Sequence, residues 1–326
     1  MRNVLVSSAA SPLGRRLLEH LRGREGLGRI VGIGSGPSPE RIAGVELVRF
    51  EGAHGELVEL LRAHEIDTVI HCGLAPDRNG SRAEPSEAGV IDTMRLGSAI
   101  GSEGSLVRAW IVASSTDVYP VTSRAPRLQR EDGSPLAGSG GAAGAGLGVG
   151  LGIGSGDETR LASLLEAEDY VRDVAARAPH LNVAILRLQQ LVGEGVRSPM
   201  AALLGQPVMP RVLGFDAPIQ MLALDDAVRA LAFAAEVELA GVYNVSSSGT
   251  IRLRDAIRVL ERRALPILPL EAGLLTPLAR RLGVPHVPGG MLGPLRFGNA
   301  VDTSKLAAAG FHPEYDQAAC LASLHG

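Results

Sequence analysis

The chain has 326 residues, 45% of them hydrophobic and 21% charged, with a formal net charge of −3. That length suits one large domain with a smaller lobe, and so weak a charge balance argues against nucleic acid or an anionic membrane surface as partner. The two cysteines, Cys72 and Cys320, lie far apart and outside any motif, which excludes a disulfide framework or a zinc site and fits buried thiols of a reducing cytoplasm.

Residues 4–6 read as a short apolar strand with no signal-peptide core before it, so a cytoplasmic protein is expected. A small-residue turn over 7–14 leads into a helix over 15–22 with Leu17, Leu18 and Leu21 on one face. Strands follow at 30–33 and 47–50, then a helix over 55–64 with Leu57, Leu60 and Leu61 inward. The next elements are a strand at 67–71, a helix at 89–100, a strand at 109–113, a long helix at 157–178 and a strand at 183–188. Near-continuous apolar strands alternating with helices predict a parallel sheet covered on both faces. Its ligands would bind beyond the carboxyl ends of the strands.

The last third is less regular. A strand is expected at 219–224, a helix at 225–235 capped by Asp225, a strand at 241–245 and a helix at 253–263, with proline and glycine punctuating 266–298. The reading is an α/β, doubly wound parallel sheet over 1–188, then a smaller C-terminal lobe over 189–326 from which 219–245 returns to the sheet. Glycine alternates with small or apolar residues over 144–156, inside an insertion at 133–156. Such a segment loses much backbone entropy on ordering, and is read as a flexible loop or a lid. Residues 136–156 carry no charge, but ten of them are glycine, a poor composition for a membrane span.

Six segments, in order, resemble the extended short-chain dehydrogenases/reductases, the NAD-dependent epimerase/dehydratase group with a Rossmann sheet. Val4-Leu-Val-Ser-Ser-Ala-Ala-Ser-Pro-Leu-Gly14 resembles the opening strand and Gly-x-x-Gly-x-x-Gly loop. Asp67-Thr-Val-Ile-His-Cys-Gly73 resembles the fourth strand, and Ala113-Ser-Ser-Thr-Asp-Val-Tyr119 the serine segment of the fifth. Glu131-Asp132 with Pro135-Leu136, Ile185-Leu-Arg-Leu188, and Asp302-Thr-Ser-Lys-Leu306 with Gly310-Phe311 and Pro313 complete the series. The chain is most similar to divergent bacterial UDP-glucose 4-epimerase-like proteins. The resemblance implies NAD or NADP as cofactor, a nucleotide or nucleotide-sugar as small-molecule partner, and a homodimer through the helices at 89–100 and 157–178.

Carried over residue by residue, the resemblance departs from its pattern at several points. The three loop glycines become Ser8, Ser11 and Gly14. Gly14 keeps the helix-packing role, serine remains small, and the helix beginning near Pro12 and Leu13 keeps an amino-terminal anion site. Gly34 stands where the ribose-binding acid belongs, which weakens preference for NAD and removes repulsion of a 2′-phosphate. Arg41 would reach such a phosphate or is a surface arginine. Glu51 stands near the adenine position or is a solvated acid. His71, Cys72 and Gly73 end the fourth strand beside the expected cofactor, and His71 is read as a buried, satisfied histidine in preference to an acid–base group.

Ser115 matches the family's fifth-strand serine. The tyrosine and lysine of the catalytic pair fall at Arg160 and Leu164, counting back from Glu168. Lys305 is the one lysine of the chain and Val301 precedes it by four, so no Tyr-x-x-x-Lys exists at any register. Arg160 has too high a pKa for acid–base work near neutrality, and Tyr119, Asp117, Asp157 and Glu158 are weaker substitutes. Gln190 stands where relatives carry a substrate-touching Asn. Arg296, and less so Arg211, stand where an arginine meets the nucleotide diphosphate. The sequence thus leaves three readings open: a nucleotide-binding protein with little or no turnover, an enzyme with a displaced acid–base residue, and a non-catalytic subunit of a larger assembly.

Overall fold

The computed structural model describes residues 1–34, 41–50, 54–75, 85–133, 155–267, 287 and 291–325, apart from the side chains of 85–88, 155–160 and 325. The strands are β1 (Arg2–Ser7), β2 (Leu27–Gly34), β3 (Glu46–Arg49), β4 (Thr68–His71), β5 (Ala109–Ser115), β6 (Asn182–Leu188), β7 (Leu191–Val192), β8 (Val208–Val212), β9 (Pro218–Ile219), β10 (Leu222–Ala223), β11 (Gly241–Val245), β12 (Ile251–Arg252) and β13 (Arg263–Ile267). The helices are α1 (Pro12–Leu21), α2 (His54–Ala63), α3 (Pro85–Ile100), α4 (Ser155–Arg177), α5 (Pro199–Leu204), α6 (Leu224–Glu236), α7 (Leu253–Val259), α8 (Leu292–Phe297), α9 (Ser304–Ala308) and α10 (Gln317–Ala322).

Seven strands form one sheet in the order β11-β6-β5-β4-β1-β2-β3. The chain starts at β1, winds outward through β2 and β3, then crosses back to β4, β5 and β6. That reversal beside β1 is the switch point at which doubly wound sheets bind ligands. β1 pairs in parallel with both neighbours, Leu5 opposite Val31 of β2 and Val69 of β4. Central strands are buried along their length, as a two-faced parallel sheet requires. α1 lays Leu13, Leu17, Leu18 and Leu21 into the core, each contributing about 1.5–3 kcal/mol by burial. Across α3, Gly97 admits a neighbour: a Cβ there would stand 2.6 Å from Tyr170 Cε1 of α4 and 3.0 Å from the Trp110 ring. Tyr170 Oη then donates to the Met94 carbonyl at 3.1 Å.

The chain divides into two compact units, each drawn from separated segments. The first comprises Met1–Ser115, Ser163–Leu188 and Ala227–Tyr243, and the second Thr116–Ala162, Gln189–Asp226 and Asn244–Gly326. The second unit has its own core of Val192, Met200, Leu203, Met209, Leu253 and Leu295 with their neighbours. Cys72 and Cys320 are both buried thiols outside any disulfide, and burial raises the Cys320 thiol to about 11, so it stays protonated at neutral pH.

The expectations for the last third need correction. Only β11 returns to the main sheet; the segment 219–224 splits into β9, which pairs with β12, and β10, which pairs with β7. Asp225 lies in the first turn of α6, which begins at Leu224, so it is no cap. The helix expected over 253–263 stops at Val259 and Glu261 turns to φ 52°. The chain then re-extends as β13 in parallel with β8, Arg263 opposite Val208. The apolar spacing of Leu253, Ile257 and Leu260 continued the helical pattern past the turn. The glycine-rich residues 144–154 and Glu51 lie outside the described residues. Among the described residues no helix is long and apolar enough to cross a membrane, and no three His, Cys, Asp or Glu side chains gather as a metal site.

Candidate functional site

In the first unit, the turn after β1 is built from serines. Ser8 has φ 55°, the left-handed conformation that glycine adopts at least cost. Its carbonyl accepts from Ser11 N at 2.9 Å, and Ala9 N donates to Ile33 O of β2 at 3.0 Å. Gly14 is required by close approach: a Cβ on it would stand 2.3 Å from Ser8 O and 2.9 Å from Ser8 C. Ser11 is the N-cap of α1, its Oγ accepting from Gly14 N at 3.0 Å, with Pro12 at the first helical position. This revises the expected anion site. Pro12 has no N–H, and the Gly14 N–H goes to the chain's own serine, so the helix end offers fewer donors than a glycine loop would. Gly34 closes β2, and among the described residues a Cβ there would meet Ala9 N and Ala10 N at 3.6 and 3.8 Å.

His71 closes β4 inside a continuous hydrogen-bond chain. Thr93 of α3 donates its hydroxyl to Gly89 O at 2.7 Å, so its oxygen accepts from His71 Nε2–H at 2.9 Å. His71 Nδ1 is then the acceptor for the Ser7 hydroxyl at 2.6 Å, and Ser7 Oγ accepts in turn from Cys72 N at 3.2 Å. Both ring nitrogens are engaged, and complete burial lowers the imidazole to about 4. A buried, neutral, structural histidine accounts for these contacts. Gly73 packs on the ring, where a Cβ would stand 2.6 Å from His71 Cε1.

Ser115 ends β5, fully buried. Beside it in sequence, Ser114 Oγ donates to Glu168 Oε1 at 2.6 Å. Glu168 of α4 and Arg187 of β6 are 0% and 1% exposed and meet at 2.7 Å, with Arg172 adding a second guanidinium at 2.5 Å. Sequence reading placed Glu168 and Arg187 in two separate motifs and missed the pair. The signal was an arginine within an otherwise apolar strand, which folds only with an acid to meet it. The network fixes the middle of α4 to β5 and β6. Leu164, at the expected lysine position, is 5% exposed and part of the core. Arg160 lies on α4, its side chain outside the described residues.

The second unit carries the remaining candidates. Gln190, 5% exposed, donates from Nε2 to Asp117 Oδ1 at 2.8 Å, and its backbone N–H donates to Gln189 Oε1 at 2.9 Å. Its own Oε1 is buried and meets no hydrogen-bond partner among the described residues. Tyr119 is buried and donates to Asn244 Oδ1 at 2.8 Å, a packing role. Asn244 also donates to the carbonyls of Gln129 and Asp302, and its backbone N–H donates to Glu131 Oε1 at 2.9 Å. The Glu131 and Asp302 motifs thus act as fasteners. Ser304's backbone N–H and hydroxyl hold the Asp302 carboxyl below its ordinary range. Arg296 lies with its guanidinium carbon 5.2 and 4.9 Å from the rings of Phe215 and Phe297, a cation–π arrangement, and its buried Nε meets no hydrogen-bond partner among the described residues. Arg211 is exposed on β8.

No family model matches the chain. An uncharacterised protein of Mycobacterium tuberculosis H37Rv is 28% identical over 319 residues, which cover 96% of this chain and 80% of that protein. Among solved structures, the UDP-glucuronic acid 4-epimerase of Bacillus cereus in complex with NAD superposes with a TM-score of 0.67 at 17% identity, over 99% of this chain and 98% of that one. The dTDP-glucose 4,6-dehydratase of Bacillus anthracis, also with NAD, gives 0.68 at 13%, over 100% and 96%. MoeE5 in complex with UDP-glucose and NAD gives 0.64 at 22%, over 99% and 97%. The class this defines is a Rossmann-type α/β fold. Within that class, the chain shares the fold of these three solved structures over nearly its whole length.

Proposed function

We propose that the chain binds an NAD- or NADP-type dinucleotide and a nucleotide-sugar, with little or no turnover by the route of its structural neighbours. The observation that carries the reading is the turn after β1: Ser8 takes the left-handed conformation and Gly14 leaves no room for a Cβ beneath it. The left-handed Ser8 makes the tight turn that a pyrophosphate cradle uses, and the close approach at Gly14 packs the following helix against that turn. The helix end would grip the group less firmly than a glycine loop does, because Pro12 lacks a donor and Ser11 takes the Gly14 N–H. Ser8, Gly14, Gly34 and Gly73 would line the dinucleotide, and Gln190 and Arg296 the nucleotide-sugar. When bound, the dinucleotide would supply a hydride acceptor; the sequence holds no Tyr-x-x-x-Lys motif to move the accompanying proton.

Fluorescence titration of the whole chain with NADH and NADPH tests the binding half, with saturable binding expected. Incubation with NAD and UDP-glucose, followed by chromatography of the sugar nucleotide, tests the catalytic half, with starting material expected unchanged. A second reading, an enzyme with a displaced acid–base group, is favoured by Asp117, a carboxylate held by Gln190 two residues beyond Ser115. Product in the second assay that disappears in Asp117→Asn would establish that reading.

A further inference from the structure

We infer that the side chain of Ser8 is itself a ligand-binding group: its hydroxyl donates to the diphosphate of the dinucleotide, at a position where a glycine loop has no side chain at all. The inference rests on the dinucleotide reading and names the atom through which the turn after β1 holds the ligand. The φ of 55° at Ser8 is one that glycine adopts without steric cost and serine does not. An outlier of this kind asks what the side chain contributes. The two neighbouring serines are engaged inside the fold. Ser7 Oγ donates to His71 Nδ1 and accepts from Cys72 N, and Ser11 Oγ accepts from Gly14 N. Ser8 differs: its carbonyl accepts from Ser11 N at 2.9 Å, but among the described residues its hydroxyl meets no hydrogen-bond partner, and the residue is only partly buried.

Gly73 shows where that hydroxyl lies. A Cβ built on Gly73 would stand 3.3 Å from Ser8 Oγ, so the hydroxyl sits beside the chain just past the carboxyl end of β4. β4 and β1 are neighbours where the winding of the sheet reverses, and doubly wound sheets hold their ligands in that crevice. Ser8 and Gly73 both belong to the first unit. The chemistry suits an anion short of donors. Pro12 has no N–H to give, and the Gly14 N–H goes to Ser11 Oγ at 3.0 Å. A serine hydroxyl brings one donor of its own, and a hydrogen bond from O–H to an ionised phosphate oxygen is among the stronger kinds. Ser8 thus returns to the turn a donor that Pro12 and Ser11 remove from it.

The test is fluorescence titration with NADH and NADPH, and displacement of NADH by ADP, on the whole chain and on Ser8→Gly and Ser8→Ala, with urea unfolding of each. Ser8→Gly is decisive, because it relieves the left-handed serine and so keeps the fold at least as stable as the wild type. Were the backbone alone to hold the diphosphate, its affinity would stay or rise along with its urea midpoint. The opposite is expected: the midpoint rises while NADH, NADPH and ADP all bind about tenfold more weakly, alike because each carries a diphosphate. Ser8→Ala should show the same loss of affinity. If Ser8→Gly binds as tightly as the wild type, the hydroxyl contact is refuted while dinucleotide binding stands. If it loses affinity for NADH and NADPH but not for ADP, the hydroxyl meets another part of the dinucleotide and the diphosphate assignment is refuted. If neither dinucleotide binds the folded wild type, both readings fall.

Discussion

Ser8 and Gly14 face each other across the turn after β1, and a single methyl group decides whether they can. In Gly14→Ala the new Cβ would lie 2.3 Å from Ser8 O, against backbone that has nowhere to retreat. Overpacking of this kind costs about 1–3 kcal/mol, and urea unfolding should show a lower midpoint with unchanged slope. Ser8→Gly should act oppositely, relieving the left-handed serine and stabilising by up to about 1 kcal/mol in the same assay. Spacing alone had marked these positions, because a strand, a small-residue turn and Gly14 at fixed intervals leave few alternatives. Spacing did not reveal that Ser11 spends its oxygen on Gly14 N, although Ser-Pro ahead of an apolar repeat is a helix-start signal. The turn was read for what it would offer a ligand, when its serine first serves its own helix.

At the scale of elements, two buried polar knots hold the sheet to its helices. His71 ties β4 to β1 through Ser7 and to α3 through Thr93. Its imidazole is lowered to about 4 in the folded chain against 6.5 when exposed. Between those values the unfolded chain binds more protons than the folded one, so stability rises with pH. This contribution is complete above about 6.5 and is lost as pH falls towards 4, by about 3 kcal/mol in all. Urea midpoints across that window should slope for the wild type and lie flatter for His71→Gln. The second knot, Glu168 with Arg187, should be costlier to break. Arg187→Met leaves a buried carboxylate with Ser114 and Arg172 alone, a loss of about 3–5 kcal/mol measurable by thermal melting. The histidine was legible because a polar residue ending an apolar strand must be satisfied. The Glu168–Arg187 partnership was not, since it joins residues nineteen apart that only the packing of α4 brings together.

For the molecule as a whole, the order of strands along the chain is not the order of units. The boundary expected after residue 188 would be natural if the first unit were contiguous, yet that unit also takes Ala227–Tyr243. These residues supply most of α6, with Ala227, Val228 and Leu231 almost wholly buried, and much of β11, which lies beside β6 in the sheet. The sequence reading returns 219–245 to the sheet, and the first unit takes the inner part of that stretch. A fragment of residues 1–188 would therefore end on β6 with an unpaired edge, open to association. It would also leave bare the core face that α6 covers, a loss of several fully buried side chains at about 1–3 kcal/mol each. Set against the 5–15 kcal/mol that a domain commands in total, that loss is decisive. The fragment should show no cooperative thermal transition by circular dichroism and should elute as aggregate, while the full chain melts cooperatively. A fragment that melts sharply as a monomer would mean that α6 and β11 are accessories to the sheet and that the nucleotide-binding half is self-sufficient at residue 188.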